Sequence, residues 1–217
     1  MPGNQNTQLI LKDFSKSYSG NLILSVPALD LTTGIYWFKG ENGSGKTTFF
    51  KSIAGLHPCA GTVQFHDGVD LHRDPVNYRS HVNYAEAEPN YPGFLTARDL
   101  MHFAGNARKV PADRQQELLE TFGIAVYADT PCETYSSGML KKISLALAFL
   151  GTPRVIILDE PLITLDENAR KILVGLIRHH LATQQGIVLM SSHQALDAAD
   201  LTINATFHIR NKSLERQ

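Results

Sequence analysis

Residues Gly40-Glu-Asn-Gly-Ser-Gly-Lys-Thr47 fit the pattern G-x-x-x-x-G-K-[ST] of a phosphate-binding loop, the most informative motif in this chain. It follows a β-rich run at residues 34–39 and precedes an apolar helical pattern. Its glycines admit backbone conformations closed to residues with a Cβ, so successive N–H groups can wrap a phosphate chain at the positive end of the next helix. The stretch therefore predicts a nucleotide site between a strand and a helix.

Two side chains of this loop have different predicted roles, one toward the phosphates and one toward Mg²⁺. Lys46 supplies a point charge for the β- and γ-phosphates, and the Thr47 hydroxyl is placed to bind Mg²⁺. We expect the nucleotide to contact a continuous set of residues, namely Asn42, Gly43, Ser44, Gly45, Lys46, Thr47 and Thr48.

The bulk composition is that of an ordinary globular protein and narrows the choice of partners. The 217 residues are 43% hydrophobic and 19% charged, with a formal net charge of −1. This charge predicts no general attraction to nucleic acid, which is therefore not an expected partner. The two cysteines fit no metal-ligand spacing and indicate unpaired thiols in a reducing compartment. No signal peptide and no apolar run of membrane-spanning length is visible, so we expect a soluble, cytosolic chain.

The first half of the chain predicts an opening sheet that is mostly antiparallel. Alternating apolar residues indicate strands at Leu9–Phe14, Leu22–Leu29 and Gly34–Phe38. A helix over Lys46–Ala54 and strands over Gly61–Phe65 and Ser80–Tyr84 follow.

The second half changes to a helical period and then to alternating strands and helices. Thr96 can cap one helix and Pro111 can open another, which together suggest a helical lobe. After them we expect a helix over Ser137–Leu150, a buried strand over Val155–Leu158, a helix over Asp166–Leu181, a buried strand over Ile187–Met190 and a last strand over Ile203–Ile209. The predicted fold is α/β: a P-loop NTPase core with a mixed or parallel sheet, an N-terminal antiparallel β subdomain and a helical subdomain inserted between core strands.

Two adjacent acids, Asp159 and Glu160, follow the buried strand at 155–158. Ligands of open α/β sheets bind at the carboxyl ends of strands, so the position matters as much as the charge. Asp159 fits the acid that organises Mg²⁺ in a P-loop NTPase, and Glu160 could polarise the water that attacks the γ-phosphate. A paired acid alone could equally be a helix N-cap, but the phosphate loop favours the catalytic interpretation.

With these two motifs in place, the chain resembles the nucleotide-binding subunit of an ATP-binding cassette (ABC) transporter along nearly its whole length. The family's signature, usually Leu-Ser-Gly-Gly-Gln, corresponds to Tyr135-Ser-Ser-Gly-Met139, in which Ser136 and Gly138 match and the other three residues depart. The resemblance implies that Ser136, Ser137 and Gly138 contact the γ-phosphate of ATP held by a second subunit. Two chains would then sandwich two nucleotides head to tail.

Three further segments resemble family motifs. Ile163–Asp166 resembles the dimer-interface loop, and Asp166 is also a plausible N-cap of the next helix. Ser191-Ser-His193 resembles the segment of the switch histidine that senses the γ-phosphate. Tyr18 resembles the aromatic residue that stacks on adenine, with Phe14 as the competing candidate and core packing as the alternative for both.

One departure concerns the glutamine that the family places between the core sheet and the helical lobe. This chain has Tyr84-Ala-Glu-Ala-Glu-Pro89 there, so Glu86, Ala87 and Glu88 are all possible equivalents. A carboxylate at Glu88 could still bind Mg²⁺, but it adds negative charge near the phosphates and predicts slower or differently coupled hydrolysis.

The resemblance implies a Mg²⁺-dependent ATPase that powers a transporter whose membrane-spanning permease subunits are separate chains. We expect one domain over residues 1–217, with its core at about 1–86 and 151–217 and its helical lobe at about 87–150. The lobe, around residues 91–105, would hold a cytoplasmic helix of the permease and keep the chain peripheral on the cytoplasmic face of the membrane. The alternatives are an ABC-type ATPase of a soluble machine and a nucleotide-gated scaffold with little hydrolysis.

Overall fold

The computed structural model describes residues 8–192 and 201–217, and in them nine strands form a single sheet. The strands are β1 (Gln8–Tyr18), β2 (Asn21–Thr32), β3 (Gly34–Lys39), β4 (Ala60–Phe65), β5 (Val82–Ala85), β6 (Val155–Leu158), β7 (Ile187–Ser191), β8 (Ala205–Arg210) and β9 (Ser213–Arg216). The helices are α1 (Lys46–Ile53), α2 (Pro75–Ser80), α3 (Ala97–Ala107), α4 (Ala112–Thr121), α5 (Ser137–Ala148) and α6 (Glu167–Gln184). The strand order is β4-β1-β2-β9-β8-β3-β7-β6-β5.

One end of the sheet is the antiparallel part that the sequence predicts. Strand β1 pairs antiparallel with both β2 and β4, and its alternating leucines, such as Leu9 and Leu11, are fully buried. The prediction that residues 34–38 belong to this antiparallel part is wrong. Strand β3 pairs in parallel with β7 and β8 at the centre of the sheet. The physical reason is that Gly34–Phe38 are all buried, as in a strand covered on both faces.

The other part of the sheet is parallel and brings the carboxyl ends of its strands to one edge. Strands β5, β6, β7 and β3 run parallel to one another. The phosphate loop follows β3, the acidic segment 86–88 follows β5, and Asp159 follows β6. This edge therefore collects the predicted chemistry, as parallel α/β sheets do.

Each face of the sheet is covered by its own hydrophobic cluster. One cluster packs α1 and the antiparallel strands, with Phe38, Phe49 and Phe50 in mutual ring contact. The other cluster joins helices α3 to α6 to the opposite face, so that Met101 and Leu118 of the helical lobe share a core with Ile156. The helical lobe is thus fastened to the sheet by a continuous apolar contact.

Two boundaries near the sheet differ from those predicted. Ser80, predicted to begin a strand, ends helix α2, which starts with Pro75 after the N-cap Asp74 and buries Tyr78. The strand begins instead at Val82. The chain also continues past the predicted last strand: β8 turns at Asn211 and returns as β9.

None of the helices within residues 8–192 and 201–217 has the combined length and apolar character that crossing a bilayer requires.

Candidate active site

The phosphate loop turns sharply out of β3 and into α1. Gly43 and Gly45 have φ of +80° and +104°, in the region that favours glycine. At Gly40 a Cβ would lie 2.5 Å from the Ser44 Oγ and 2.8 Å from the Ile209 carbonyl oxygen. The glycine spacing read from the sequence is therefore required by both backbone conformation and close approach.

Lys46, the first residue of α1, folds back over the loop. Its Nζ donates to the carbonyl oxygens of Gly40 at 2.7 Å and Glu41 at 3.2 Å. Burial lowers the pKa of Lys46, whereas the charges of Glu160 and Asp159 raise it. The structure thus brings the predicted phosphate-binding lysine within electrostatic range of both predicted acids.

Asp159 is completely buried at the end of β6 and is held by both carboxylate oxygens. Its Oδ1 accepts a hydrogen bond from the Ser191 hydroxyl at 2.6 Å, and its Oδ2 accepts one from the Tyr84 hydroxyl at 3.1 Å. Its backbone N–H donates to the Ala85 carbonyl at 3.0 Å. Burial, the charge of Asp159 and the hydrogen bond from the Tyr84 hydroxyl to the Asp159 carboxylate all raise the pKa of Tyr84, so the phenol remains a donor. The carboxylate is therefore fixed by residues of β5 and β7.

Glu160 adopts an unusual backbone conformation directly after Asp159. Its φ is +44°, although it is not a glycine, and the residue is only 8% exposed. Its N–H donates to the Ser191 Oγ at 3.0 Å, so one hydroxyl holds both acids. Strained backbone of this kind concentrates at functional sites, where the surrounding structure fixes a side chain in a chosen direction.

The oxygen donors at this edge suit Mg²⁺, a hard cation that prefers hydroxyl, carboxylate and phosphate oxygens. Thr47 is exposed at the start of α1, after β3, and Asp159 lies at the end of β6, with β7 between these two strands. Glu88 is exposed, and its charge acts on the same buried lysine, Lys141, as the charges of Asp159 and Glu160. Thr47 and Asp159 therefore offer the kind of oxygen that the expected ion prefers, and the place of Glu88 beside them stays a prediction.

The acidic segment after β5 uses its two glutamates differently. The Glu86 carboxylate pairs with Lys51 of α1 at 3.5 Å, and its backbone N–H donates to the Ser144 Oγ at 3.1 Å. Glu88 is the more exposed of the two. Because Glu86 is engaged with Lys51, Glu88 stays our candidate for the metal site.

The Ser136–Gly138 segment forms the start of α5 and lies beside the loop before α6. Ser136 is the N-cap, and its hydroxyl accepts from the Met139 N–H at 3.3 Å. A Cβ at Gly138 would lie 3.0 Å from the Thr164 carbonyl oxygen. Asp166 caps α6 through the Ala169 N–H at 2.7 Å, and the hydrogen bond from Lys142 lowers its pKa. The predicted N-cap role of Asp166 is confirmed, whereas its interface role stays a prediction.

Comparison with known proteins agrees with this geometry. The family model described as ABC transporter matches residues 29–163. The cytochrome c biogenesis ATP-binding export protein CcmA of Bordetella bronchiseptica is 34% identical over 161 residues, which cover 72% of this chain and 70% of that protein.

The chain belongs to the ABC transporter family. The retinal-specific phospholipid-transporting ATPase ABCA4 of Bos taurus is 30% identical over 199 residues, or 87% of this chain, which spans only 9% of the length of that relative. A solved structure titled as the ATP binding subunit of an ABC transporter superposes with a TM-score of 0.84 at 24% identity, covering 96% of this chain and 89% of the other. The predicted family and α/β fold are therefore confirmed.

The two candidates for stacking on adenine in this ABC chain, Tyr18 and Phe14, differ in their exposure to solvent. Phe14 is fully buried against Phe49, whereas Tyr18 is 43% exposed. The Tyr18 hydroxyl forms a hydrogen bond with His57 Nδ1 at 2.8 Å, and Lys16 Nζ lies 4.2 Å from the ring centroid. Of these two candidates, Tyr18 is the one that an adenine base could reach, and its role in binding stays a prediction.

The switch histidine predicted for this ABC chain, His193, lies outside the described residues. Strand β7 leads to it and ends at Ser191.

The contacts that three residues make with the acid pair were not predicted from the sequence. Tyr84, Lys141 and Ser191 hold the acids in place. Two adjacent lysines, Lys141 and Lys142, interrupt the largely apolar run of α5, but the sequence does not show which of them is buried.

Proposed function

We propose that this chain is the Mg²⁺-dependent ATPase subunit of a membrane transporter and that it acts as a dimer. The observation that supports this most strongly is the grouping of Lys46, Asp159 and Glu160 at one edge of the sheet, with one hydroxyl, that of Ser191, fixing both acids. A protein that only bound nucleotide would have no need of a buried glutamate held beside the metal-organising acid.

The chemistry follows from where these groups lie. The loop N–H groups and Lys46 bind and neutralise the phosphates, which positions the γ-phosphoryl group. Mg²⁺ when bound supplies charge stabilisation of the phosphate oxygens, and Thr47, Asp159 and Glu88 are the side chains that we assign to it. Glu160 accepts a proton from the attacking water, whose oxygen bonds to the γ-phosphorus. The bond from the γ-phosphorus to the oxygen that bridges it to the β-phosphate breaks, and ADP and inorganic phosphate leave.

The dimer proposal rests on the exposed start of α5. Ser136 and Ser137 are exposed and offer hydroxyls, free N–H groups and the positive end of a helix dipole. The Thr164 carbonyl oxygen lies against Gly138, and Asp166 pairs with Lys142 further along α5 at 2.6 Å. We infer that this surface meets the γ-phosphate held by a second subunit, of the same or a related chain.

The proposed permease partner rests on the boundary between the sheet and the helical lobe. A cleft of about 440 Å³ there is lined by residues that include Leu56, Tyr84, Glu86 and Tyr91. Because Tyr84 also donates to Asp159, a helix seated in this cleft would lie close to a group that holds this acid. The likeness to an ATP-binding export protein favours a membrane transporter, with the chain held at the cytoplasmic face through its permease, over an ATPase of a soluble machine.

The test of the dimer cycle uses Glu160→Gln, which removes the base but keeps the shape. We expect this variant to bind ATP and to elute as a dimer with Mg-ATP in size-exclusion chromatography, while its hydrolysis rate falls by about 10²- to 10⁴-fold. Lys46→Ala should neither bind ATP nor dimerise, and serves as the control for nucleotide-independent association.

A Glu160→Gln variant that remains monomeric with ATP and still hydrolyses it would overturn the proposed role.

To test for the membrane partner, the tagged wild-type chain is purified from its native membranes in mild detergent. A stoichiometric polytopic membrane protein supports the transporter proposal, and recovery with only soluble partners contradicts it.

A further inference from the structure

A buried lysine on α5 binds the backbone of two different strand ends. Lys141 is 1% exposed, and its Nζ donates to the carbonyl oxygens of Glu86 at 2.7 Å, Ala87 at 3.1 Å and Asp159 at 3.0 Å. An ammonium group has three N–H donors, so these three carbonyls use all of them. The side chain therefore joins α5 to three backbone carbonyls, and it has no N–H donor remaining for a ligand.

The three carbonyls belong to the two segments that carry the acids. Glu86 and Ala87 directly follow β5, and Asp159 directly follows β6. One turn further along α5, the Ser144 Oγ accepts the Glu86 N–H at 3.1 Å. Helix α5 thus holds the segment 86–87 by three hydrogen bonds and the Asp159 backbone by one.

The charge of Lys141 is stabilised by acids around it, but its burial costs desolvation free energy. Burial lowers the pKa of Lys141 to about 8, while Asp159, Glu160, Glu86 and Glu88 raise it. Replacing a buried charge by a well-packed apolar residue is often neutral or stabilising in proteins. A cation at this position is therefore better explained by what it holds than by stability alone.

We propose that Lys141 is a positioning residue for ATP hydrolysis, which ties the start of α5 to the backbone of Asp159 and of the acidic segment that stands where the family has its glutamine. The residue contacts neither substrate nor metal. It acts by fixing Asp159 and the segment 86–88 relative to each other and to the Ser136–Gly138 surface. This inference rests on the proposed ATPase function and assigns to α5 the task of aligning the acids.

The test compares three variants of the purified full chain. Lys141→Met removes the donors and the charge in a side chain of similar length, and Lys141→Arg keeps the charge but replaces the compact ammonium by a planar fork. Asn83→Ala breaks a different buried anchor of α5, since Asn83 Nδ2 donates to the carbonyls of Ala148 and Leu150, both at 2.9 Å. Each variant is measured for Mg-ATP turnover, for binding of a fluorescent ATP analogue and for thermal unfolding.

The expected result is a split between turnover and binding. Lys141→Met should lower kcat by roughly 10- to 100-fold, because three charge-assisted hydrogen bonds that align the acids are lost, while analogue binding changes less than about threefold. Lys141→Arg should fall between Lys141→Met and the wild type. Asn83→Ala should lower the unfolding temperature but keep kcat within about threefold of the wild type, since it lies at the far end of α5.

Each other outcome decides against the inference. A folded Lys141→Met with wild-type kcat, a parallel loss of binding and turnover, or an equal fall of kcat in Asn83→Ala would reduce Lys141 to a structural residue. If Lys141→Met does not fold, Lys141→Arg decides, because a wild-type kcat there overturns the inference. A wild-type chain without Mg-ATP turnover would instead refute the proposed function, so the two failures are distinguishable.

Discussion

Replacing Ser191 by alanine should weaken both the fold and the hydrolysis of ATP, because its hydroxyl serves two buried groups at once. The hydroxyl donates to the Asp159 carboxylate at 2.6 Å and accepts the Glu160 N–H at 3.0 Å, and both acids are buried. A hydrogen bond to a charged group contributes about 1.5–3 kcal/mol, and a buried N–H left without an acceptor costs about 1–3 kcal/mol. Since Tyr84 still holds the other oxygen of Asp159, we expect a total loss of about 3 kcal/mol in the free energy of unfolding.

The assay is urea unfolding of Ser191→Ala and the wild type, with the turnover of ATP measured on the same samples. Ser52→Ala is the matched control, because Ser52 is also fully buried but donates only to the Thr48 carbonyl, at 2.9 Å within α1. That neutral bond predicts a loss of about 1 kcal/mol. Turnover by Ser191→Ala should fall by at least about tenfold, as both acids lose a fixed position. Equal losses of stability in the two variants, or full turnover in Ser191→Ala, would refute the reasoning.

Two other predictions concern charge near the site and in the core. Glu88→Gln should keep or raise ATP turnover, because it removes a negative charge near the phosphates and restores an amide in the segment where the family has one; a complete loss of turnover in a phosphate-release assay would contradict this. Burial lowers the pKa of His180 from 6.5 to about 4, so the unfolded chain binds the proton first as the pH falls. The free energy of unfolding should therefore decrease by about 3 kcal/mol between pH 6.5 and pH 4. Urea titrations should show this slope in the wild type but not in His180→Gln, and a slope that persists in His180→Gln would exclude His180 as its source. The variant of the exposed neighbour, His179→Gln, should keep most of the slope, because the charge of His179 is the smaller cause of the lowered pKa of His180.

The features that the sequence predicted well are those with a local physical cause. The phosphate loop is defined by glycines whose backbone conformations few other residues adopt, and the acid pair follows a short apolar, β-branched run that favours a buried strand. Thr96 caps α3 with a full capping box, as its spacing to Asp99 allows. In each case neighbouring residues contain enough information to fix the element.

The features that it missed depend on contacts between distant segments. Strand β9 is polar and half-exposed, and it forms because Asn211 and Lys212 both adopt positive φ and return the chain onto β8. The central place of β3 depends on pairing with β7 and β8, which follow it by more than a hundred residues.

The candidate site shows the same division between local and distant information. The binding loop and the acids could be read from short motifs, but the groups that hold the acids could not. Tyr84, Lys141 and Ser191 reach the acid pair from three separate elements, so no spacing along the chain predicts them.

The most direct test of the central claim is phosphate release from ATP by the purified chain, measured with Mg²⁺ and with EDTA, in the wild type and in Glu160→Gln. We expect steady turnover by the wild type that requires Mg²⁺, and a fall of about 10²- to 10⁴-fold in Glu160→Gln with ATP still bound. Wild-type turnover that survives EDTA, or a Glu160→Gln variant as active as the wild type, would contradict it.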